Sequence, residues 1–326
     1  MSESLELKDL PHNYVSVTQL EMFRRCPQQY QIRYIKGVKK PPAGNLVVGI
    51  SAHKALEGDL GQKKVTGVNE STDRVKERAS SAFDEVVEEA KTGFGGVNWE
   101  DEDPGKEKDS MLGALSAYHK TLAQTIVPTA VEQAFELSFD KASFTLVGRL
   151  DAVHENVEVI DFKTTKKYRK SIENEVGHPM PFQLGVYQLA KPDAEILRLD
   201  YMIRGKKEPD SCTVAYPALT EEGVTDVLTE IHTLSTAIRT GLFYPNPGFG
   251  MLNCSMCGYK DLCPAWRRRV TSLPRDTSGS TPGSPGSELV SPTHVAEPSI
   301  GRPSGQSRSQ AGDSEIGRAP TSQSSS

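Results

Sequence analysis

The sequence predicts an α/β fold from two changes of periodicity along the chain. Apolar residues recur every three or four positions from 74 to 91, which is typical of an amphipathic helix. Segments 131–139, 143–154 and 156–164 instead alternate apolar and polar residues and are separated by turn residues, which predicts a three-strand meander. Helical and strand patterns then follow one another, so helices and strands belong to the same domain.

The first elements are predicted to be helices. Thr18-Gln19-Leu20-Glu21 has the pattern of a capping box, which predicts a helix beginning there and containing Cys26. A second helix is expected to start near Ile50 and to carry His53 among apolar residues.

The remaining elements follow from spacing and turn composition. A loop rich in Gly and acids separates the helix at 74–91 from the next one, and Thr220 is the predicted cap of a long helix. The ranges are a loop at 93–109, helices at 110–126 and 181–191, and strands at 195–204 and 211–217.

Composition divides the 326 residues unevenly. Residues 271–326 contain 29 Ser, Pro and Gly among 56 residues, without an aromatic residue. Such a segment buries too little apolar surface to offset the entropy cost of ordering, so we expect a disordered tail. Residues 1–270 are then expected to form one domain.

Several protein classes are excluded by the same inspection. No apolar run of about 18 residues occurs, and Glu3, Glu6 and Asp9 occupy the region where a signal peptide is basic, so we expect a cytoplasmic protein, bacterial or in a phage-infected cell, without membrane contact. The chain has no phosphate-binding G-x-x-x-x-G-K-[ST] loop and is not expected to be a motor by itself. The net charge is −5, but basic residues are grouped, which permits a nucleic-acid path.

The predicted strand at 156–164 carries an acid and a base on one face. Asp161 and Lys163 are two residues apart, so they project to the same side, while Ile160 and Phe162 project to the other. Asp151 is predicted at the end of the preceding strand. Two carboxylates that hold a hard cation, beside an ammonium group, suit metal-dependent hydrolysis. The alternative is an ordinary surface ion pair of little energetic consequence.

Two further polar features have both a structural and a functional interpretation. Gln183 and Tyr187 lie four residues apart and share one helical face, where they can bond a phosphate, a base or the lysine, or simply form a polar edge. His53 is either a buried core residue or a nitrogen ligand of the metal.

Four of the five cysteines suggest a metal site. Cys254, Cys257 and Cys263 lie within ten residues, and Cys26 is the candidate fourth ligand from the other end of the domain. Four thiolates hold either zinc or an iron–sulfur cluster, and spacing does not distinguish them. Cys212 falls in a predicted strand and is expected to be a buried thiol.

The motifs occur along the chain in this order: Cys26-Pro-x-x-Tyr30, His53, Gly148-x-x-Asp151, Asp161-Phe-Lys163, Gln183-x-x-x-Tyr187, Cys254-x2-Cys257-x5-Cys263. This order resembles the RecB-like branch of the PD-(D/E)xK nucleases, and within it the iron–sulfur exonucleases, which include CRISPR-associated and phage forms and the AddB nuclease domain. The resemblance implies a restriction-endonuclease-like core, a mixed central sheet flanked by helices. Helices at about 74–126 would form an insertion, and the cysteine cluster would close the domain.

The resemblance also implies a role for each motif. His53, Asp151 and Asp161 would bind Mg²⁺ or Mn²⁺ together with the Phe162 carbonyl. Lys163 would be the catalytic lysine, supported by two residues, Gln183 and Tyr187. The cysteines, Cys26, Cys254, Cys257 and Cys263, would hold a [4Fe-4S] cluster, with zinc as the alternative.

The function implied is a metal-dependent DNA exonuclease that prefers single-stranded ends and acts in DNA recombination, repair or replication, or in phage DNA processing. A helicase or recombinase is a possible partner. The alternative is an inactive nucleic-acid-binding accessory of recombination or packaging, in which the iron–sulfur or zinc site is structural.

Overall fold

The computed structural model describes the body of the chain in six ranges: 14–139, 145–174, 178–204, 208–248, 251–255 and 257–270. The predicted disordered tail, 271–326, lies outside the described residues. None of the helices within these ranges has the length and apolar composition that a membrane crossing needs.

The helices fall before, between and after the strands. Four of them begin at a side-chain cap, provided by Ser16, Ser71, Asp103 and Thr220. In chain order they are α1 (Val17–Arg25), α2 (Pro27–Tyr30), a π-helical turn (Gln31–Ile35), α3 (Gly44–Thr66), α4 (Thr72–Phe94), α5 (Pro104–Lys120), α6 (Leu122–Thr125), α7 (Arg169–Glu173), α8 (Phe182–Ala190), α9 (Glu221–Arg239), α10 (Leu252–Ser255), a 3-10 turn (Lys260–Leu262) and α11 (Pro264–Val270).

Six strands form one mixed sheet, which confirms the predicted fold class. The strands are β1 (Tyr14–Ser16), β2 (Pro128–Ser138), β3 (Thr145–His154), β4 (Glu158–Thr165), β5 (Ile196–Ile203) and β6 (Asp210–Pro217). The antiparallel meander β2–β3–β4 matches the prediction, whereas β4 and β5 pair in parallel across the connection through α7 and α8. β1 joins β3 in parallel, and β6 closes the other edge.

A tight hairpin places the two central strands in register. His154 pairs with Glu158, and the first two of the three intervening residues, Glu155 and Asn156, have φ values of 47° and 65°. Left-handed backbone at two successive turn residues matches the twist of the strands that the turn connects. This hairpin fixes β4 beside β3 within a few residues of the predicted acids.

Helices cover both faces of the sheet. On one face, α3, α4 and α5 pack against Ala152, Ile160 and Phe162. On the other face, Leu184 of α8 packs against sheet residues that include Val159. A third apolar cluster, built mainly from α1, α8 and α9, adjoins the second. The predicted insertion therefore forms most of one helical layer.

Several local boundaries differ from the prediction. The capping box of α1 is formed by Ser16 and Gln19, not by Thr18 and Glu21. Cys26 lies outside the helix in extended backbone, with φ of −160°, because the proline that follows disfavours helical backbone in the residue before it. The helix that carries His53 begins at Gly44, and the one expected from 110 begins at Pro104, behind the Asp103 cap.

Candidate active site

Asp161 and Lys163 form the centre of the site on β4. The Nζ of Lys163 lies 2.5 Å from Oδ2 of Asp161, and it donates a hydrogen bond of 2.8 Å to Oε1 of Gln183. Asp161 is almost fully buried, whereas Lys163 is partly exposed. The lysine is therefore held from two sides while its ammonium group remains reachable from solvent.

Gln183 and Tyr187 lie on one face of α8, as predicted. The amide nitrogen of Gln183 donates to the Tyr187 hydroxyl at 2.7 Å, and this hydroxyl donates to Oδ1 of Asp161 at 3.5 Å. Burial and the nearby charges of Asp161 and Asp151 raise the pKa of Tyr187, so the phenol keeps its proton. Lysine, glutamine, tyrosine and aspartate thus form a closed ring of contacts.

His53, Asp151 and the Phe162 carbonyl meet beside this ring. Nε2 of His53 lies 2.8 Å from the carbonyl oxygen of Phe162, and Nδ1 lies 3.4 Å from Oδ2 of Asp151. Asp151 accepts a 2.8 Å hydrogen bond from the Phe162 amide, so the same peptide segment contacts both side chains. Burial lowers the pKa of His53, which favours the neutral imidazole that binds metals.

Burial and the neighbouring Asp161 charge raise the pKa of Asp151 to about 7. The two predicted acids are therefore close enough to repel each other, which is the arrangement that a shared cation relieves. Oδ2 of Asp161 is buried and accepts no hydrogen bond from the described part of the chain, although it faces the Lys163 ammonium.

Glu132 on β2 joins the candidate site, although no sequence motif indicates it. Among the residues that the structure describes, His53, Glu132 and Asp151 form a group whose ligand atoms all lie within 4.8 Å of one another. Glu132 has a φ of 49°, unusual for a residue with a side chain. Burial and the charge of Asp151 raise the pKa of Glu132.

The register of β2 and β3 explains this position. Val131 pairs with Ala152 and Gln133 with Leu150, so Glu132 lies opposite Asp151. Opposite residues of an antiparallel pair share one face. Sequence could have revealed Glu132 only if the register had been known, and the two predicted strands did not fix it.

The donor set fits a hard divalent cation. One imidazole nitrogen, carboxylate oxygens and a backbone carbonyl are the ligand types that Mg²⁺ and Mn²⁺ accept. His53 Nε2 and the Phe162 oxygen are 2.8 Å apart in a hydrogen bond, which a bound cation would replace.

The four predicted cluster cysteines lie together around one small cavity. Cys26, Cys254, Cys257 and Cys263 all line it, and the last three belong to the segment between α9 and α11. Backbone amides of Asn246 and Tyr259 donate to the sulfurs of Cys26 and Cys257, each at 3.4 Å. Amide donors of this kind stabilise thiolates that bind metal.

Cys212 lies apart from this group. It is buried in β6 and packs within the apolar cluster under α8, as predicted. Four of the five cysteines therefore line one cavity, and the fifth lies in the core.

One protein-family match covers most of the chain. The PD-(D/E)XK nuclease superfamily matches residues 14–264, which include every predicted site residue. A solved structure described as a candidate exonuclease from Eubacterium rectale has 13% identity and a TM-score of 0.46, over 83% of this chain and 91% of its own. The solved structure of SSO0001 has 15% identity and a TM-score of 0.29, over 77% of this chain and 96% of its own. No curated protein matches the chain.

Proposed function

The chain belongs to the PD-(D/E)XK nuclease superfamily, and from this we propose that it is a Mg²⁺- or Mn²⁺-dependent DNA exonuclease that hydrolyses phosphodiester bonds from single-stranded ends. The observation that carries the proposal is the contact of Lys163 with Asp161 and Gln183, next to the group of His53, Glu132 and Asp151. Motif order supports a role in DNA recombination, repair or replication or in phage DNA processing, beside a helicase or recombinase.

In this proposal each side chain has a defined task. His53, Asp151, Asp161, Glu132 and the Phe162 carbonyl would provide the ligands of the cation. A divalent cation bound there supplies Lewis-acid polarisation of the scissile phosphate.

The remaining residues position the lysine. Asp161 and Gln183 hold the Lys163 ammonium in one place, so it can orient the attacking water and stabilise the charge that develops on the phosphate. Tyr187 acts on Gln183, because its hydroxyl accepts the hydrogen bond that fixes the amide. Positioning of this kind lowers the entropy cost of reaching the transition state.

End-labelled single- and double-stranded DNA, labelled in turn at the 5′ and 3′ ends, tests the proposal with Mn²⁺. We expect mononucleotide or short-oligonucleotide release from single strands, and loss of at least about 10³-fold in rate for Asp161→Ala and for Lys163→Ala. Lys91→Ala, an exposed residue of α4 paired with Glu88, is the matched control. Absent activity, or activity that survives both site substitutions, refutes the proposal.

We also propose that the four cysteines hold a metal centre, which is a [4Fe-4S] cluster if the resemblance in motif order extends to the cofactor and zinc in the alternative. Thiols from both ends of the domain share one cavity, and two receive amide hydrogen bonds. The test is iron, zinc and acid-labile sulfide analysis of protein purified without oxygen, together with its visible absorption. Four irons and four sulfides per chain support the cluster, whereas equimolar zinc without sulfide excludes it.

A further inference from the structure

A groove between α3 and α4 has an apolar floor that solvent reaches. Its volume is about 570 Å³, and the loop between Cys257 and Cys263 contributes to its wall. Leu46, Ile50 and Phe94 all line it and are 50%, 37% and 42% exposed. Large apolar side chains that converge on one open groove indicate a ligand with apolar faces.

The rim of this groove is basic although the chain is acidic. Arg33, Lys39 and Lys40 line it, with Glu89 as the single acid of its lining, whereas the whole chain carries a net charge of −5. The Arg33 guanidinium lies 5.4 Å from the centre of the Tyr34 ring, which helps to hold it at the rim. An apolar floor with a cationic rim matches a polyanion that also carries flat apolar groups.

The groove and the candidate active site share one face of α3. Leu46, Ile50 and His53 follow one another on α3 at intervals of four and three residues, which places them on one helical face. His53 is the residue of this face that contacts Asp151 and the Phe162 carbonyl. A strand lying on Leu46 and Ile50 is therefore led to the position where the metal ligands converge.

We propose that this groove binds single-stranded DNA as unstacked nucleotides, with bases on Leu46, Ile50 and Phe94 and phosphates on Arg33, Lys39 and Lys40. The inference deepens the proposed function, on which it rests, by assigning the surface that selects a single strand. A duplex keeps its bases stacked inside and offers only phosphates to the rim, so the apolar floor discriminates between the two forms.

DNA binding by the full-length protein is measured by fluorescence anisotropy of labelled DNA. The buffer contains EDTA, which prevents cleavage. The probes are a fluorescein-labelled oligothymidylate and a duplex of equal length. For the double variant Lys39→Glu with Lys40→Glu we expect at least about tenfold weaker binding of both probes. The slope of log affinity against log salt concentration should also decrease in magnitude by about two, which corresponds to two lost phosphate contacts. For Leu46→Ser with Phe94→Ser we expect roughly tenfold weaker binding of the single strand and unchanged binding of the duplex.

The control variants change residues at the C-terminal end of α3 and at the end of α5. Lys64→Glu with Lys120→Glu reverses two exposed charges outside the groove, and Val65→Ser removes an apolar side chain that is 85% exposed. Neither control should alter binding of either probe. Circular dichroism and thermal melting confirm that each variant is folded.

The possible results separate this inference from the proposed function. If the wild-type protein cleaves DNA but the groove variants bind single strands as tightly as it does, the groove holds another ligand, such as a protein segment, and the inference is wrong. An equal loss of duplex and single-strand binding in Leu46→Ser with Phe94→Ser also overturns it. If the groove variants lose binding as expected but the wild-type protein cleaves nothing, only the nuclease proposal fails.

Discussion

Glu132 lies opposite Asp151 in the β2–β3 pair, and both carboxylates reach the imidazole of His53. Two acids on neighbouring strands of one sheet repel each other at this distance, and the pKa of each is raised. A bound proton or cation would relieve this repulsion, and Glu132 is therefore included among the proposed metal ligands.

Glu132→Gln should weaken binding of Mn²⁺ by about tenfold or more, because it removes one negative charge from the ligand group while keeping the side-chain shape. The affinity is measured by titrating the protein with Mn²⁺ and following the free ion by electron paramagnetic resonance. This measurement requires no DNA cleavage. Glu136→Gln, at an exposed position of the same strand, is the control. An affinity equal to that of the wild type would show that Glu132 is not a ligand.

Gln183→Ala should lower kcat by about 10²-fold and leave KM nearly unchanged, because the glutamine positions Lys163 rather than binding the substrate. Gln183→Glu retains an oxygen that accepts from the lysine, so a partial recovery is expected. Gln133→Ala, exposed on β2, is the control. A selective rise in KM would contradict the positioning role and indicate direct contact with DNA.

The metal-free protein should become less stable as the pH rises, and Asp151 should cause part of this loss. The folded pKa of its carboxyl is about 7 against an ordinary value of 3.8, so the folded state retains a proton that the unfolded chain has released. This contribution is complete below about pH 4 and is lost as the pH rises through about 7.

Asp151→Asn should therefore raise the free energy of unfolding at pH 8 in EDTA by up to about 4 kcal/mol, since one pKa unit corresponds to ~1.4 kcal/mol. The difference should disappear near pH 4. Urea unfolding at pH 8 and at pH 4 measures the difference in the free energy of unfolding, and Glu136→Gln is the control variant. A difference that is the same at both pH values would show that the effect is not caused by ionisation of Asp151.

Cys263→Ser should abolish or strongly reduce the bound metal, whereas Cys212→Ser should retain it. The first residue lines the four-cysteine cavity, and the second is buried in β6. Metal content, sulfide content and the melting temperature give three independent measurements. Equal metal content in the two variants would exclude Cys263 as a ligand.

Gly148→Ala should destabilise the fold by about 1–3 kcal/mol, because a Cβ there would lie 2.2 Å from the Phe135 ring. Phe135 in turn packs edge-to-face on Tyr187, with ring centres 6.0 Å apart, so nuclease activity should fall as well. Gly61→Ala in α3 meets no atom within 4 Å and should be neutral or slightly stabilising. Equal stability of the two variants would contradict the packing argument.

Prediction from sequence succeeded where the signal was local. Alternation placed Asp161 and Lys163 on one strand face, and the four-residue spacing placed Gln183 and Tyr187 on one helical face. The grouping of the cysteines followed from the close spacing of three of them, and the mixed sheet followed from the order of the motifs.

Prediction failed where long-range contacts decide the structure. The N-terminus of α3 has no side-chain cap at Ala43, so no local signal marks it. Its start is fixed instead by a bridge from Ala43 to Asn98 and by the close approach of Gly44 to Trp99. Glu132 was missed for a similar reason, because strand register depends on pairing that alternation does not specify.

The separation of these partners along the chain has a consequence for synthesis. His53 contacts a carbonyl 109 residues later, and the sulfur of Cys26 accepts from an amide 220 residues later. A ribosome-bound chain therefore carries an incomplete cleavage centre until most of the domain has emerged, and folding dominated by such distant contacts is slow. A newly made molecule should therefore acquire its activity only after most of the domain has been synthesised.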